Sequence, residues 1–478
     1  MLLNKSLSTF SSLIVLMISG SIQAQPKNVL FIAVDDLRPE LGCYGHPVIK
    51  SPNIDRLANS GVRFTQAYCN IPVCGATRAS IMSGLRPNAS RFVNYDCYLD
   101  KDVPGVVSLP MHFKNNGYRT VSMGKIFHHQ DDSKGSWDIN WRPETLKGGS
   151  WRDYQLPENI AQDKGDRSRA LPYEKADIPD DAYFDGKIAT KAIAELQEAK
   201  KTGQPFFLAV GFLKPHLPFN APAKYWDMYP ESSIKLPGNM YKPKDAPEEA
   251  LHTFGELRAY SDIPPTGPVS NEMALKLIHG YYACVSYTDA QIGKVLKALE
   301  ESGLAENTIV VLWGDHGWNL GEHGLWCKHC NFENALHTPL IIRAPGHNSG
   351  LAADQLVEYV DVYPTLCDLT GLSRPFHLQG NSLTPILNGE NPDWKDAVFC
   401  RWIKGETIIT KTHAYTEWYK QPGLPASASM LFDHTKDAAE NINISEKPEN
   451  KQLVKTLQSR LMKHIDEREN ILLPSEKK

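Results

Sequence analysis

Unbroken runs of β-prone apolar residues alternate along this chain with longer segments whose apolar positions recur every three to four residues. The first run, Asn28 to Val34 (NVLFIAV), shows no polar alternation, which suits a strand buried on both faces. Similar runs lie at 120–123, 206–211, 308–313 and 340–343. Helical spacing predicts a helix over 186–200, with Ile188, Ala192, Ile193 and Leu196 on one face, and a longer one over about 271–302. A short helix is predicted over 77–84, closed by Arg86-Pro87. Strands alternating with helices predict an α/β fold, a large mixed, mostly parallel sheet flanked by helices. After about Gly371 the pattern changes to short strand-like pieces at 397–402, 406–410 and 429–432, then an amphipathic helix near 451–465. This predicts a main domain over 25–375 and a smaller C-terminal α+β subdomain over 376–478, with a small antiparallel sheet and a terminal helix.

The N-terminal pattern is different. Lys5 precedes an apolar run at 13–18, and small and polar residues follow to Ser21-Ile22-Gln23-Ala24. Residues 1–24 therefore read as a secretory signal peptide cleaved after about Ala24. The run is too short to span a bilayer as a helix, so no stable membrane insertion is expected. The expectation is an exported protein, periplasmic or secreted. A formal net charge of −4 over 478 residues gives no footprint for nucleic acid. Export permits disulfides, and nine cysteines leave at least one unpaired; their spacing does not fix a pairing.

Polar residues cluster where the predicted strands end. Asp35 and Asp36 follow the first strand; Lys125 and His128 the second; Lys214 and His216 the third; Asp315 and His316 the fourth. Ligand sites in open α/β sheets lie outside the carboxyl ends of strands, so four strands deliver charged groups to one edge. Asp35, Asp36 and Asp315 are hard oxygen ligands suited to calcium or magnesium rather than zinc. Three carboxylates around one divalent cation would still repel an anionic substrate. Arg78, Lys125 and Lys328 are the cations that could offset this, with His128 and His216 as hydrogen-bond donors or proton carriers. Cys74 lies close to a predicted helix start, where free N–H groups and a partial positive charge favour an anionic group. Cys327-Lys328-His329-Cys330 has CxxC spacing but no second pair to complete a zinc site, and reads as a loop around Lys328. Two long loops, 131–181 and 218–268, are polar and rich in proline, the kind of segment that shapes a substrate pocket. With Asn94-Tyr95-Asp96, Lys214 and Trp318 they are the candidate substrate contacts.

Several strings carry a family resemblance: NVLFIAVDDLR from Asn28, SPNIDRL from Ser51, CGATR from Cys74, GKIFH from Gly124, PFFLAVGFLKPH from Pro205, YACVSYT from Tyr282, GDHGWNLGEH from Gly314 and HTPLI from His337. In this order they resemble the type I, formylglycine-dependent sulfatase family of the alkaline-phosphatase-like superfamily. The resemblance runs from Asn28 to about Thr370 and is closest to its iduronate-2-sulfatase branch, in which histidine takes the place of His316 where many sulfatases carry asparagine. It implies an alkaline-phosphatase-like fold and a sulfuric ester hydrolase. It implies that Asp35, Asp36, Asp315 and His316 bind Ca2+ together with Cys74 oxidised to formylglycine, and that Arg78 holds the formylglycine. Lys125, His128, His216 and Lys328 would surround the sulfate. One hydroxyl of the hydrated aldehyde would attack sulfur, and the second would later expel sulfate. The implied partners are a sulfated mono-, oligo- or polysaccharide, from glycosaminoglycan or algal sources, and a formylglycine-generating or anaerobic maturase. Lys214, Trp318 and Asp96 are the residues expected to contact the sugar. The chain departs from the family signature at Ala76 and Thr77, where proline and serine are usual. Proline would pre-set the backbone there, so the departure bears on which maturase can act. Two other readings are a phosphonate or phosphate monoester hydrolase on the same fold and a non-catalytic sugar-binding relative.

Overall fold

Residues 28–34 form strand β1 (Asn28–Val34), buried along its whole length. It is flanked by parallel partners on both sides, which explains the unbroken apolar run. The computed structural model describes residues 27–144, 150–165, 168–421 and 424–469; the expected signal peptide lies outside them. The other strands of the main sheet are β2 (Val62–Tyr68), β3 (Arg119–Gly124), β4 (Ile139–Trp141), β5 (Phe206–Phe212), β6 (Thr308–Gly314), β7 (Leu340–Arg343) and β8 (Leu351–Glu358). Their spatial order is β8-β2-β7-β6-β1-β5-β3-β4. Only β7 runs antiparallel to its neighbours, so the sheet is mixed and mostly parallel.

Alternate residues of β1 enter opposite cores. Leu30, Ile32 and Val34 pack with the helices Pro52–Asn59, Phe184–Thr202 and Asn271–Glu301. Val29, Phe31 and Ala33 pack with Cys74–Ser83, Leu109–Asn115 and Val362–Thr370 on the other face. The longest helix, Asn271–Glu301, starts at Ser270, whose hydroxyl accepts from the Met273 N–H.

The central order β6-β1-β5-β3 is all parallel, so the four strands bearing the predicted polar residues end at one edge. The two long loops, 131–181 and 218–268, contain paired strands of their own. One supplies β4 to the edge of the main sheet, and Tyr173–Ala176 from that loop pairs in parallel with Phe219–Pro222 from the other. Beyond the main sheet, strands β9 (Ala397–Trp402), β10 (Gly405–Thr410), β11 (His413–Trp418) and β12 (Ala428–Asp433) form an antiparallel meander. The helix Lys451–Glu469 covers it through Leu457 and Leu461. Among the described residues no helix is long and apolar enough to cross a membrane. All nine cysteines are free, eight of them buried, as small apolar groups often are.

Candidate active site

The ladder fixes the site backbone for one residue beyond the strand ends. Asp35 N–H donates to the Phe212 carbonyl at 3.2 Å, Asp315 N–H to Val34 at 3.2 Å, and Lys125 N–H to Gly211 at 2.9 Å. Gly124 (φ +74°) and Gly211 face each other across β3 and β5. A Cβ on Gly211 would lie 2.2 Å from the Lys125 carbonyl oxygen, so glycine is what lets the Lys125 backbone cross there. Asp36 then adopts a left-handed turn (φ +59°), which aspartate tolerates better than most residues. Its N–H donates to Asp315 Oδ1 at 2.9 Å, and its carbonyl accepts from the Tyr281 hydroxyl at 2.9 Å. The turn aims two adjacent carboxylates in different directions.

Cys74 is the first residue of the helix Cys74–Ser83, three residues earlier than the sequence pattern indicates. Val73, which precedes it, provides no side-chain cap, so the helix start carries no cap signature. Gly75 lies directly under the Tyr95 backbone: a Cβ there would meet the Tyr95 carbonyl oxygen at 2.3 Å. Thr77 donates to the Ile71 carbonyl at 2.6 Å and ties the helix to the incoming chain.

Asp35, Asp36, Cys74 and His316 each place a potential ligand atom within 4.8 Å of the others. Cys74 Sγ is 3.2 Å from His316 Nε2, which is 3.4 Å from Asp36 Oδ1 and 3.6 Å from Asp315 Oδ1. The His316 Nδ1 is engaged by the Gly317 carbonyl at 2.9 Å, which turns Nε2 to the cluster. The carboxylates of Asp35, Asp36 and Asp315 with one imidazole, all buried, suit a hard divalent cation; the Cys74 thiol as it stands does not. Burial and the Asp35 charge push the Asp36 carboxyl up to about 7, against the opposing pull of Lys328. For Asp35 the same burial is overcome by Lys125, His216 and Arg78, which hold it well below the usual carboxylate range. Burial and Asp35 push the Cys74 thiol far above its ordinary range.

Arg78 is 0% exposed and works behind this cluster. It donates to Asp315 Oδ2 at 3.0 Å, to Asp35 Oδ1 at 3.3 Å, and to the carbonyls of Lys125 and Ile126. Lys125 pairs with the other Asp35 oxygen. Lys328 follows Cys327, which is held at φ +70°, and its ammonium reaches Asp36 at 3.2 Å. His216 Nε2 lies 3.9 Å from Asp36. Burial and Lys125 pull His128 down to about 2, so it is neutral, and its Nδ1 is buried without a hydrogen-bond partner. Arg78, Lys125, Lys328 and His216 thus lie around the Asp35 and Asp36 carboxylates.

Of the three residues expected to contact substrate, Lys214 and Trp318 are placed otherwise. Lys214 is buried and donates to the carbonyls of His216 at 3.1 Å and Pro218 at 2.6 Å, so its ammonium serves its own loop. Trp318 is 1% exposed and lies in the core with its face 4.8 Å from Lys328 Nζ, a support beneath that lysine. Asp96 is exposed on the loop over Gly75, beside the site rather than in the buried cluster.

Sequence reasoning missed Glu256 and Trp151. Glu256 comes from the second long loop, on the one-turn helix Gly255–Arg258, and its carboxylate meets Lys328 at 2.9 Å and His216 at 3.0 Å. Trp151 is 44% exposed with its ring edge-on to His216 at 5.4 Å, and Tyr95, 53% exposed, lies 5.9 Å from the His128 ring. Only a change from loop to helix periodicity marks Glu256, and it spans a single turn. With Glu256 included, the four carboxylates of the site exceed its Arg78, Lys125 and Lys328 charges by one. A divalent cation held there would reverse the sign and make the site receptive to an anion.

Comparisons with known proteins bear on the family of the chain. The sulfatase family model matches residues 27–372, and a model of the N-sulphoglucosamine sulphohydrolase C-terminal region matches residues 321–467. Iduronate 2-sulfatase of Mus musculus is 35% identical over 399 residues, covering 74% of this chain and 71% of that protein. A sulfatase of Formosa agariphila is 33% identical over 442 residues, covering 87% and 82%. A solved structure of a protein bound to its substrate D-glucosamine-2-N,6-O-disulfate superposes with a TM-score of 0.75 at 22% identity, covering 95% of this chain and 100% of that one. A mixed sheet with an acidic edge, a buried cysteine at a helix start and these matches together place the chain in the sulfatase family, as a sulfuric ester hydrolase.

Proposed function

We propose that the protein removes sulfate from a sulfated carbohydrate, using Ca2+ and a formylglycine made from Cys74. The observation that carries this is the buried convergence of Asp35, Asp36, Cys74 and His316, backed by Arg78 and faced by Lys125 and Lys328. Asp35, Asp36, Asp315 and His316 would hold the cation. When present, the cation and the modified residue supply a polarised oxygen nucleophile and positive charge for the sulfuryl group. The chain's own residues do the rest. Arg78 locks Asp35 and Asp315 in place. Lys125 and Lys328 offset negative charge beside position 74. His216, with Nε2 3.9 Å from Asp36, and His128, whose buried Nδ1 has no hydrogen-bond partner, are the two imidazoles that could take part in proton transfer to a leaving alcohol.

The sugar reading draws on the exposed rings of Tyr95 and Trp151, each against one of these histidines and each able to pack on the apolar face of a pyranose. It also draws on the sugar-directed relatives. A uronate 2-sulfate of a glycosaminoglycan and a sulfated algal oligosaccharide are the two substrate classes we propose. Residues 1–24 would direct export to the periplasm or beyond, and a maturase would convert Cys74. Inorganic sulfate released from uronate 2-sulfate disaccharides and from sulfated algal fragments, with a phosphonate monoester alongside, tests the proposal. We expect sulfate from at least one sugar class and little turnover of the phosphonate. No sulfate from either class, with position 74 converted, would overturn it.

A further inference from the structure

We infer that Glu256 is a positioning residue that holds Lys328 and His216 at the sulfate side of the site. The inference rests on the reading above, in which those two side chains face the sulfate. Its Oε1 lies 3.0 Å from both His216 Nε2 and Lys328 Nζ, and its Oε2 lies 2.9 Å from Lys328. One carboxylate therefore joins two groups from different segments of the chain, one after β5 and one after the short strand Trp326–Cys327.

A fourth carboxylate in a site that must receive an anion needs a reason. A metal role fits poorly: Lys328 Nζ sits between Glu256 and Asp36, 3.0 Å from one and 3.2 Å from the other, and occupies the place a cation would take. Charge balance fits well. Lys328 is buried, and a buried ammonium needs an anion beside it, while the buried His216 needs a fixed partner at Nε2. The Leu217 carbonyl already takes His216 Nδ1 at 2.6 Å, so the ring orientation is fixed and Nε2 points at Glu256.

Glu256 is itself held firmly. Phe254 enters the one-turn helix at φ +43°, and Arg258 donates to the carbonyls of Thr253 at 2.8 Å, Pro264 at 2.5 Å and Gly267 at 2.7 Å. The carboxylate is 16% exposed at the side chain. It therefore stands at the boundary of the buried cluster, where it can keep both donors aimed inward.

Steady-state sulfate release by Glu256→Ala tests the inference, with added formate as a small replacement carboxylate. We expect kcat to fall on the order of 100-fold with KM changed only a few-fold, and formate to restore part of kcat. A kcat within about two-fold of the unsubstituted enzyme would overturn it. So would a lower KM with a higher kcat, which would make Glu256 a plug that substrate displaces. If Glu256→Ala does not fold, Glu256→Gln keeps the shape and removes the charge. A Gln variant with normal Tm and kcat reduced about ten-fold or more supports the inference, and an undiminished kcat overturns it. Lys328→Ala and His216→Ala run in the same assay separate the two levels. If they retain full activity, the sulfate-side reading fails; if they lose it while Glu256→Ala does not, only the role of Glu256 fails.

Discussion

At the scale of single residues, the site depends on a guanidinium that need not touch substrate. Arg78 is wholly buried and satisfies two carboxylates and two carbonyls at once. Breaking a buried ion pair by removing one partner leaves the other charge uncompensated. We expect Arg78→Ala to cost about 3–5 kcal/mol in denaturant unfolding and to abolish sulfate release. If Arg78 acts mainly through Asp35 and Asp315, Arg78→Lys should lose stability and activity together. Full stability with lost activity would instead put its guanidinium on the reacting group. Asp35, Asp36, Lys125, Asp315 and His316 were legible in the sequence because each follows a recognisable apolar strand. Lys214 follows one too, but two neighbouring carbonyls within reach of its ammonium decide its role, and such local capture leaves no trace in residue order. Glu256 and Trp151 were hidden for the opposite reason: they come from irregular loops whose path only tertiary pairing defines.

At the scale of elements, the edge of the sheet is set by backbone contact as much as by side chains. Gly211 sits under the Lys125 carbonyl carbon at 2.3 Å from where a Cβ would be, and backbone cannot rotate away as a side chain can. Gly211→Ala should therefore destabilise the protein by roughly 1–3 kcal/mol and lower sulfate release more than the stability loss explains, because Lys125 is displaced. Melting curves and rates measured on the same preparation check this; an unchanged rate would show that Lys125 can shift harmlessly. The fully buried strands and both long helices were readable from apolar runs and helical spacing. The helix start at Cys74 was read late because Val73 gives no cap. Strand β11 was missed because its inward polar residues look unlike a core strand. In the fold they satisfy each other, with Tyr415 donating to Glu417 at 2.7 Å and Thr416 bonded to Thr407 at 2.9 Å.

At the scale of the whole molecule, the C-terminal sheet is fastened to the main sheet by a buried charged knot. Glu358, the last residue of β8, bonds Arg86, Lys395 and Asn70, and Asn70 also donates to the Phe399 carbonyl of β9 at 2.9 Å. Burial alone would raise the Glu358 carboxyl, but Arg86 and Lys395 outweigh it and hold the group well below the ordinary glutamate range. A depressed folded value contributes stability that is present above the unfolded glutamate pKa and is lost as pH falls through the folded one. Unfolding free energy should therefore decline as the medium is acidified below that range, and Glu358→Gln should flatten the decline while lowering stability at neutral pH. Parallel acid limbs for the two proteins would contradict this.

The most direct measurement relates sulfate release to the state of residue 74. Peptide mass spectrometry across Cys74, on preparations made with different amounts of maturase, gives the fraction in which the thiol has become an aldehyde. The same preparations are assayed for sulfate released from a sulfated saccharide. We expect the rate to rise in proportion to the converted fraction and to vanish in Cys74→Ala. A rate independent of conversion, or undiminished in Cys74→Ala, would contradict the proposed chemistry.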